Sequence, residues 1–140
     1  MNIIYRNAAI QDEEGVFVLA RSLATSYNVN KKEFSAIFAD TLGNANADIL
    51  IAECNTELIG YVLAFHHPAF YANGTISWVE EIFVAEPYRR MRAGQKLMEM
   101  VEKRAGERGS KLVALATRRA GDFYKSIGYA ESAQYFKKTL

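Results

Sequence analysis

Apolar positions in the first third of the chain follow helical spacing. From Val16 they recur at i, i+3, i+4 and i+7, which predicts a helix from residue 12 to about residue 27. A second series over residues 34–42 ends just before a glycine and predicts another helix. A short apolar run over residues 2–8 precedes both and predicts a first strand. The chain therefore begins with a strand that is followed by two helices.

The middle of the chain changes to apolar runs of strand length. The runs at 48–54 and 58–65 are separated by Asn55-Thr56-Glu57, and this spacing predicts a hairpin. The next run covers residues 76–84 and predicts a further strand, reached through a loop around His67-Pro68. Because strands joined by short connections pair antiparallel, this region predicts an antiparallel sheet.

Helical spacing returns in the last third of the chain. Every fourth residue over 93–105 is apolar, which predicts a helix with one buried face. The continuous apolar run at 112–116 is typical of a strand that is covered on both faces. Residues 122–127 predict a short helix that ends at a glycine. The aromatic positions Tyr129 and Tyr135-Phe136 predict closing strands.

Together these elements predict an α/β (α+β) fold in a single domain over residues 1–140. An antiparallel hairpin region is followed by a strand–helix–strand crossover, so we expect a mixed sheet with helices on both faces. A chain of 140 residues is also long enough to bury a hydrophobic core of its own.

Composition and charge narrow the classes of function. Half of the residues are apolar and the formal net charge is +1, so we expect no nucleic-acid and no membrane partner. The single cysteine, Cys54, cannot form an intrachain disulfide, and we interpret it as a packing residue. No spacing of His, Cys and carboxylates suggests a metal site. The first residues lack the apolar region of a signal peptide and no run reaches the roughly 18 residues of a membrane span, so we expect a cytoplasmic protein.

The stretch from Trp78 to Gly94 carries most of the chemical information. A buried strand holds two adjacent carboxylates, Glu80 and Glu81, and then turns through a basic loop over 89–94 into the predicted helix. The N-terminus of a helix binds anions through its free backbone N–H groups and its positive dipole end. Basic residues oppose that dipole, so a bound anion explains the cluster better than a solvated helix start does. The sequence predicts a phosphate-bearing ligand at this loop.

The two carboxylates should face opposite sides of the strand, because side chains alternate along it. Burying Glu80 and Glu81 in an apolar strand is costly unless something compensates their charge. An alkylamine would do so, and with a pKa of about 10.4 it must lose a proton before it attacks an acyl group. The structural alternative is an ion pair with an arginine or lysine of a neighbouring strand.

Three segments match a known pattern in order and spacing. They are Val-Glu-Glu-Ile-Phe-Val at 79–84, Tyr-Arg-Arg-Met-Arg-Ala-Gly at 88–94, and Ala-Gly-Asp-Phe-Tyr-Lys-Ser-Ile-Gly-Tyr at 120–129. With them the chain resembles, over its whole length, the GNAT superfamily of acetyl-coenzyme A-dependent N-acetyltransferases. The family usually has glycine where this chain has Arg92. An arginine can occupy that position if its φ is negative, and it would add a cation next to the phosphate.

The resemblance implies a fold and a binding site. The central twisted sheet would have six or seven strands, would be flanked by about four helices, and would be splayed between its fourth and fifth strands. Acetyl-coenzyme A would be the cosubstrate, with its pantetheine arm along Ile82, Phe83 and Val84. The pyrophosphate would be wrapped by the main chain and the cations of the basic loop, which are Arg89, Arg90, Met91, Arg92, Ala93, Gly94, Gln95 and Lys96.

The resemblance also implies catalytic roles. Glu80 would be the base, directly or through water, and Glu81 would orient the amine. Tyr124 would be the general acid that protonates the leaving thiolate of coenzyme A. A tyrosine in a short helix is also a common core residue, which is the alternative. The acceptor side would be formed by residues 20–45 and 65–75.

Several alternatives stay open. We expect a small-molecule amine as the acceptor, with a protein N-terminus or lysine as the alternative. A non-catalytic acyl-coenzyme A-binding or regulatory domain on the same fold is the alternative to an enzyme, although a pure binder would need neither a base nor Tyr124. A homodimer is also open. We interpret His66 and His67 as solvated loop residues.

Overall fold

Five strands form one mixed sheet in the computed structural model, which describes residues 2–25 and 27–140. The strands are β1 Ile3–Asn7, β2 Ala47–Cys54, β3 Glu57–Ala69, β4 Gly74–Val84 and β5 Val113–Leu115. Their order in the sheet is β1-β2-β3-β4-β5. The first four pair antiparallel and β5 runs parallel to β4. The predicted mixed sheet is confirmed.

Four α-helices accompany this sheet, as predicted. They are α1 Glu13–Leu23, α2 Lys31–Leu42, α3 Ala93–Glu107 and α4 Gly121–Ser126, with short 3₁₀ turns at Ile10–Asp12 and Glu86–Met91. Helix α1 ends earlier than its pattern predicts, because Ala24 already has an extended backbone. Helix α2 begins where the Asn30 side chain accepts hydrogen bonds from two backbone N–H groups of its first turn. Among the described residues, no helix is long and apolar enough to cross a membrane.

The sheet is covered by helices on both faces, which follows from the alternation of side chains along β2. Leu50 and Ala52 belong to a core that includes α3. Ile49 and Ile51 belong to a second core formed with α1 and α2. The two cores meet the sheet from opposite sides, so each central strand carries apolar residues at successive positions.

The hairpin between β2 and β3 is confirmed, and β3 is longer than predicted. Asn55 and Thr56 both have positive φ and form a two-residue turn between the strands. Strand β3 continues to Ala69, where it pairs with Gly74 of β4. The prediction of a loop around His66, His67 and Pro68 is therefore wrong, because the ladder to β4 holds all three residues in the sheet.

The end of the chain differs most from the prediction. Strand β5 is half-buried rather than covered on both faces, because it lies at the edge of the described sheet. Tyr129 and Tyr135-Phe136 form no strand in the described structure, so the described sheet has five strands rather than six or seven. Tyr129 instead packs against Tyr124, with ring centroids 5.9 Å apart, and donates a hydrogen bond to Glu102. Tyr135 and Phe136 are exposed.

Candidate active site

The sheet opens along β4, as the splay between the fourth and fifth strands predicts. Strand β5 pairs only with Ser77, Trp78 and Val79 of β4. Residues 81–84 pair with β3 and with no other described strand. The main chain on that edge of β4 is therefore available to pair with an extended ligand.

A β-bulge places Glu80 outside the regular ladder. The register passes from Leu63↔Glu81 to Ala64↔Val79, so Glu80 is the extra residue on β4. Strict alternation does not hold across a bulge, and the expectation of opposite faces cannot be applied here. The two carboxylates differ instead in the cavity that each of them lines. Glu80 is exposed and lines a cleft of about 700 Å³, whereas Glu81 lines a different cavity.

Glu81 is held by a tyrosine and not by a cation. The Tyr61 hydroxyl donates a hydrogen bond to Glu81 Oε1 at 2.7 Å, and Tyr61 is only 2% exposed. Burial, together with the charge of Glu81, raises the pKa of Tyr61, so the phenol stays a donor. In the described part of the chain neither Glu80 nor Glu81 forms an ion pair, and the structural alternative of a paired carboxylate is not found.

The cavity at Glu81 lies between the sheet and the first two helices. Its volume is about 410 Å³, and Ile49, Tyr61 and Leu63 join Glu81 on the sheet side. Helices α1 and α2 and the connection between them supply the opposite wall. Most of its lining residues, from Ala20 to Thr41, fall within residues 20–45, part of the range predicted for the acceptor side.

The basic loop ends in a strained residue and a free helix N-terminus. Arg92 has φ 61° and ψ 20°, which is the left-handed region, so the arginine does not have the negative φ that was the condition for it at this position. Arg92 precedes α3 without a capping side chain, and the first turn of α3 has no acidic residue. The Lys96 N–H makes the first intrahelical bond, to the Arg92 carbonyl. The N–H groups of residues 93–95 are therefore available to an anion.

Arg89 ties this loop to the end of β4. Its Nε donates a hydrogen bond to the Val84 carbonyl at 2.8 Å, and its guanidinium lies 5.3 Å from the centre of the Phe83 ring. Arg90 and Arg92 are exposed, and Lys96 lies within 3.8 Å of Glu99. The predicted cations therefore divide into one that fixes the loop and three that remain at the surface.

Gly94 lies where α3, α4 and β4 meet. A Cβ at this position would lie 3.6 Å from the Phe123 ring and 4.0 Å from a methyl group of Val84. These are ordinary van der Waals distances, so the protein itself has room for a methyl group here. A requirement for glycine at this position would therefore come from a ligand on the helix N-terminus.

Tyr124 combines a buried ring with an accessible hydroxyl. The ring packs edge-on against Phe123, with centroids 5.0 Å apart, and the residue is 8% exposed. Burial raises the pKa of Tyr124. No described residue hydrogen-bonds its hydroxyl, yet every fully buried polar side-chain atom in the described structure has a partner. The Tyr124 hydroxyl therefore reaches solvent, which a core tyrosine would not need to do.

The sequence did not indicate a polar network at the other end of β4. His66 contacts Ser77 Oγ at 2.7 Å and Asp48 at 2.8 Å, and Ser77 also contacts Ser110. Arg104 completes the network by donating to Asp48. The series Asp48–His66–Ser77 resembles the arrangement that activates a nucleophilic serine. Ser77 is completely buried, however, so it is not accessible to a substrate. We interpret the network as structural.

One other predicted feature is found in place. Cys54 is buried in the core and serves as a packing residue. Within residues 2–25 and 27–140, no three or more His, Cys, Asp or Glu side chains form a group that could hold a metal ion.

Comparison with known proteins adds a family and a fold. The model of the acetyltransferase (GNAT) family matches residues 15–129. An uncharacterized N-acetyltransferase of Bacillus subtilis (strain 168), YhfO, is 31% identical over 98 residues, which are 67% of this chain and 66% of that protein. The chain thus spans about two thirds of the length of this relative.

Solved structures match over the whole chain. Glucosamine-6-phosphate N-acetyltransferase from Arabidopsis thaliana has a TM-score of 0.89 at 20% identity, covering 100% of this chain and 99% of that one. A transcriptional regulator from Bacillus halodurans C-125 has a TM-score of 0.88 at 19% identity, covering 99% of this chain and 100% of that one. At these identities the likeness shows the fold.

Proposed function

Because the chain belongs to the GNAT family of acetyltransferases, we propose that it transfers the acetyl group of acetyl-coenzyme A to the nitrogen of a small-molecule primary amine. The observation that carries the proposal is the unpaired edge of β4 followed directly by the free N-terminus of α3. The edge suits the amide groups of a pantetheine arm, and the helix N-terminus suits a pyrophosphate. An expected cytoplasmic location is consistent with such a cosubstrate.

The chain's residues would divide the binding of coenzyme A between main chain and side chains. Ile82, Phe83 and Val84 would offer their backbone to the pantetheine arm. The N–H groups of Ala93, Gly94 and Gln95 would hold the pyrophosphate, with Met91 in the same loop. Arg90, Arg92 and Lys96, which are exposed, would add charge-assisted contacts. Arg89 would act through the loop that it fixes to Val84.

Proton transfer would use both carboxylates and the tyrosine. Glu81 would hold the amine as its ammonium form. Glu80, which is exposed on the bulge and lines a different cavity, would take the proton through water. The amine nitrogen then forms a bond to the acetyl carbon as the carbon–sulfur bond breaks. The nitrogen loses a second proton as the amide forms, and this proton would replace the one that Tyr124 gives up. Tyr124 would give its proton to the departing thiolate, and its raised pKa keeps that proton available at neutral pH.

A coenzyme-binding regulatory domain is the second candidate. The strained backbone of Arg92 favours it, because glycine would follow the same path at no cost. The likeness to a transcriptional regulator extends the same idea at the level of the fold. Against it are the accessible Tyr124 hydroxyl and the two unpaired carboxylates, which a binder would not require.

The experiment that tests the proposal is titration calorimetry of coenzyme A with two matched variants. Gly94→Ala places a methyl group on the first turn of α3, and Gly106→Ala places one later in α3, where a Cβ meets nothing within 4 Å. We expect Gly94→Ala to weaken binding by about tenfold or more, the scale of losing one charge-assisted hydrogen bond. Gly106→Ala should bind as wild type does.

Thiol release from acetyl-coenzyme A in the presence of primary amines then separates the two candidates. An enzyme releases thiol in proportion to acetylated amine, whereas a regulatory domain binds the coenzyme without turnover. Absence of coenzyme A binding by the wild-type chain would contradict both candidate functions, the acetyltransferase and the regulatory domain.

A further inference from the structure

We propose that the acceptor is a primary amine on an apolar aliphatic or aromatic skeleton, bound in the cavity between α1, α2 and the sheet with its ammonium group at Glu81. The inference rests on the proposed function and names the substrate class of that site. It depends on three properties of this cavity, which are the apolar character of its walls, the sign of its charges and the state of its hydrogen-bonding groups.

The walls of the cavity are mostly apolar. Aliphatic and aromatic side chains come from α1, from α2 and from the sheet, and they are Val16, Ala20, Leu23, Ala24, Val29, Phe34, Ile37, Phe38, Ile49 and Leu63. A volume of about 410 Å³ is in the range of sites for small organic ligands. Burial of an apolar skeleton against such walls is favourable in proportion to the area removed from water.

The charges in the cavity are negative. Glu81 lies on the sheet side and Glu33 on α2, and among the lining residues that the structure describes there is no lysine or arginine. Tyr61 occupies Glu81 Oε1, while Glu81 Oε2 has no hydrogen bond to any described residue. This free oxygen can accept a hydrogen bond from an ammonium group. A phosphate or carboxylate on the acceptor would meet repulsion and no cationic partner.

Three of the polar groups in the wall are engaged by the protein itself, whereas the side chains of Asn28 and Glu33 have no hydrogen bond to a described residue. The Asn30 side-chain oxygen accepts from two backbone N–H groups, and the Thr41 hydroxyl donates to the Ile37 carbonyl. The Tyr61 hydroxyl donates to Glu81. A polyhydroxylated acceptor would lose hydrogen bonds to water and regain few here, which disfavours an aminosugar.

These properties distinguish this chain from a relative of the same fold. The Arabidopsis protein is by its name a glucosamine-6-phosphate N-acetyltransferase. Its named substrate carries hydroxyl groups and a phosphate, for which this cavity offers few free partners. A polyamine with three ammonium groups could pair two of them with Glu81 and Glu33, and it would still have to bury the third charge among the apolar walls. A single amine at one end of an apolar skeleton matches the cavity best.

The test is a panel of acceptors assayed with acetyl-coenzyme A by thiol release. The apolar amines are 2-phenylethylamine and hexylamine, and the polar ones are glucosamine 6-phosphate, spermidine and a short peptide with a free N-terminus. We expect kcat/KM for the best apolar amine to exceed that for every polar one by about 100-fold. A preference for any polar acceptor would overturn the inference and leave the acetyltransferase proposal standing.

Two matched surface variants tie the preference to this cavity. Ile37 lines it and is 62% exposed, whereas Val18 on α1 is 43% exposed and is not among the lining residues. Ile37→Lys brings a cation to the cavity, so we expect the KM for 2-phenylethylamine to rise about tenfold with coenzyme A affinity unchanged. Val18→Lys should leave both constants as in wild type. Equal KM values for the two variants would place the amine elsewhere.

A failure of catalysis is distinguished by direct binding. If no amine leads to thiol release, calorimetry of 2-phenylethylamine with protein saturated by coenzyme A still measures whether the amine binds in the cavity. Binding that Ile37→Lys weakens and Val18→Lys does not would support the cavity assignment while the enzyme proposal fails. Lack of binding under these conditions would overturn the inference.

Discussion

The two ends of β4 treat polar groups in opposite ways. At the closed end, Ser77 is completely buried and belongs to a hydrogen-bonded network with His66 and Asp48. At the open end, residues 80–84 have no described partner strand on one edge, and neither Glu80 nor Glu81 forms an ion pair with a described residue. The same strand therefore serves as a structural element at one end and offers unused bonding capacity at the other.

This difference shows how reactive groups can be recognised without a bound ligand. The closed end contains an aspartate, a histidine and a serine in contact, a set that is familiar from hydrolases, yet each of them hydrogen-bonds to other protein groups and the serine is completely buried. The open end contains fewer familiar groups, but an edge, a carboxylate oxygen and a phenol are left without partners in the described structure. Unused capacity next to a cavity is the better guide to chemistry.

The comparison predicts its largest effect for Tyr124→Phe. Loss of the positioned proton donor should lower kcat by about 10²–10⁴-fold, or somewhat less where water substitutes, because general acid catalysis has this value. The ring stays in place, so coenzyme A affinity and the midpoint of urea unfolding should match wild type. Because burial raises the pKa of Tyr124, the wild-type kcat should not decline through loss of this proton between neutral pH and pH about 10.

Tyr129→Phe is the matched control for this variant. Tyr129 packs on Tyr124 and its hydroxyl bonds to Glu102 at the surface, so its removal changes packing as little and touches no proposed step. Turnover by Tyr124→Phe at the wild-type rate would remove Tyr124 from the mechanism. An equal loss in both variants would assign the effect to packing.

The closed end should respond in stability and not in binding. His66→Ala leaves the Ser77 hydroxyl and the Asp48 carboxylate without their shared partner, so we expect the free energy of unfolding to fall by about 2–4 kcal/mol. His67→Ala, which removes an exposed neighbour, should change it by less than about 0.5 kcal/mol. Urea unfolding measures both, and calorimetry should show unchanged coenzyme A affinity. Wild-type stability of His66→Ala would contradict the structural interpretation.

The smallest effect is expected at Arg92, where charge and backbone strain oppose each other. Arg92→Gly relieves the left-handed strain but frees the unfolded chain, so stability should change by less than about 1 kcal/mol. Loss of the charge should weaken coenzyme A binding by about 1–2 kcal/mol, as Arg92→Ala should too. Arg92→Lys keeps the charge and should bind nearly as wild type. Tighter binding by Arg92→Gly would show that arginine is a handicap here and would favour the regulatory candidate.

Much of the fold follows from the sequence because its patterns are local. The helical spacing before Leu42 and after Ala93, and the two-residue turn at Asn55 and Thr56, depend on neighbours along the chain. The length of β3 does not, since His66 and His67 read as a loop until β4 pairs with them. The prediction of closing strands was wrong for the same reason, because an aromatic segment forms a strand only where it can pair with the edge of a sheet.

The candidate site was predicted in part. The basic loop before α3 and the carboxylate pair can be identified in the sequence itself, and the resemblance to the family adds Tyr124. The bulge at Glu80 and the bond from Tyr61 to Glu81 are not, because both depend on the register between β3 and β4. The positive φ of Arg92 is set by the turn that it must complete. The catalytic roles of these residues and a homodimer stay predictions.

The bulge has a consequence for anyone who compares this chain with its relatives. Glu80 is the residue of β4 that has no partner on β3, so the position of both carboxylates depends on the count of residues between Val79 and Ile82. An alignment that places a one-residue gap here exchanges Glu80 for Glu81 while every other position of β4 still matches. Relatives should therefore be compared at this point by strand register, since an insertion or deletion here relocates an acid group without altering any residue type.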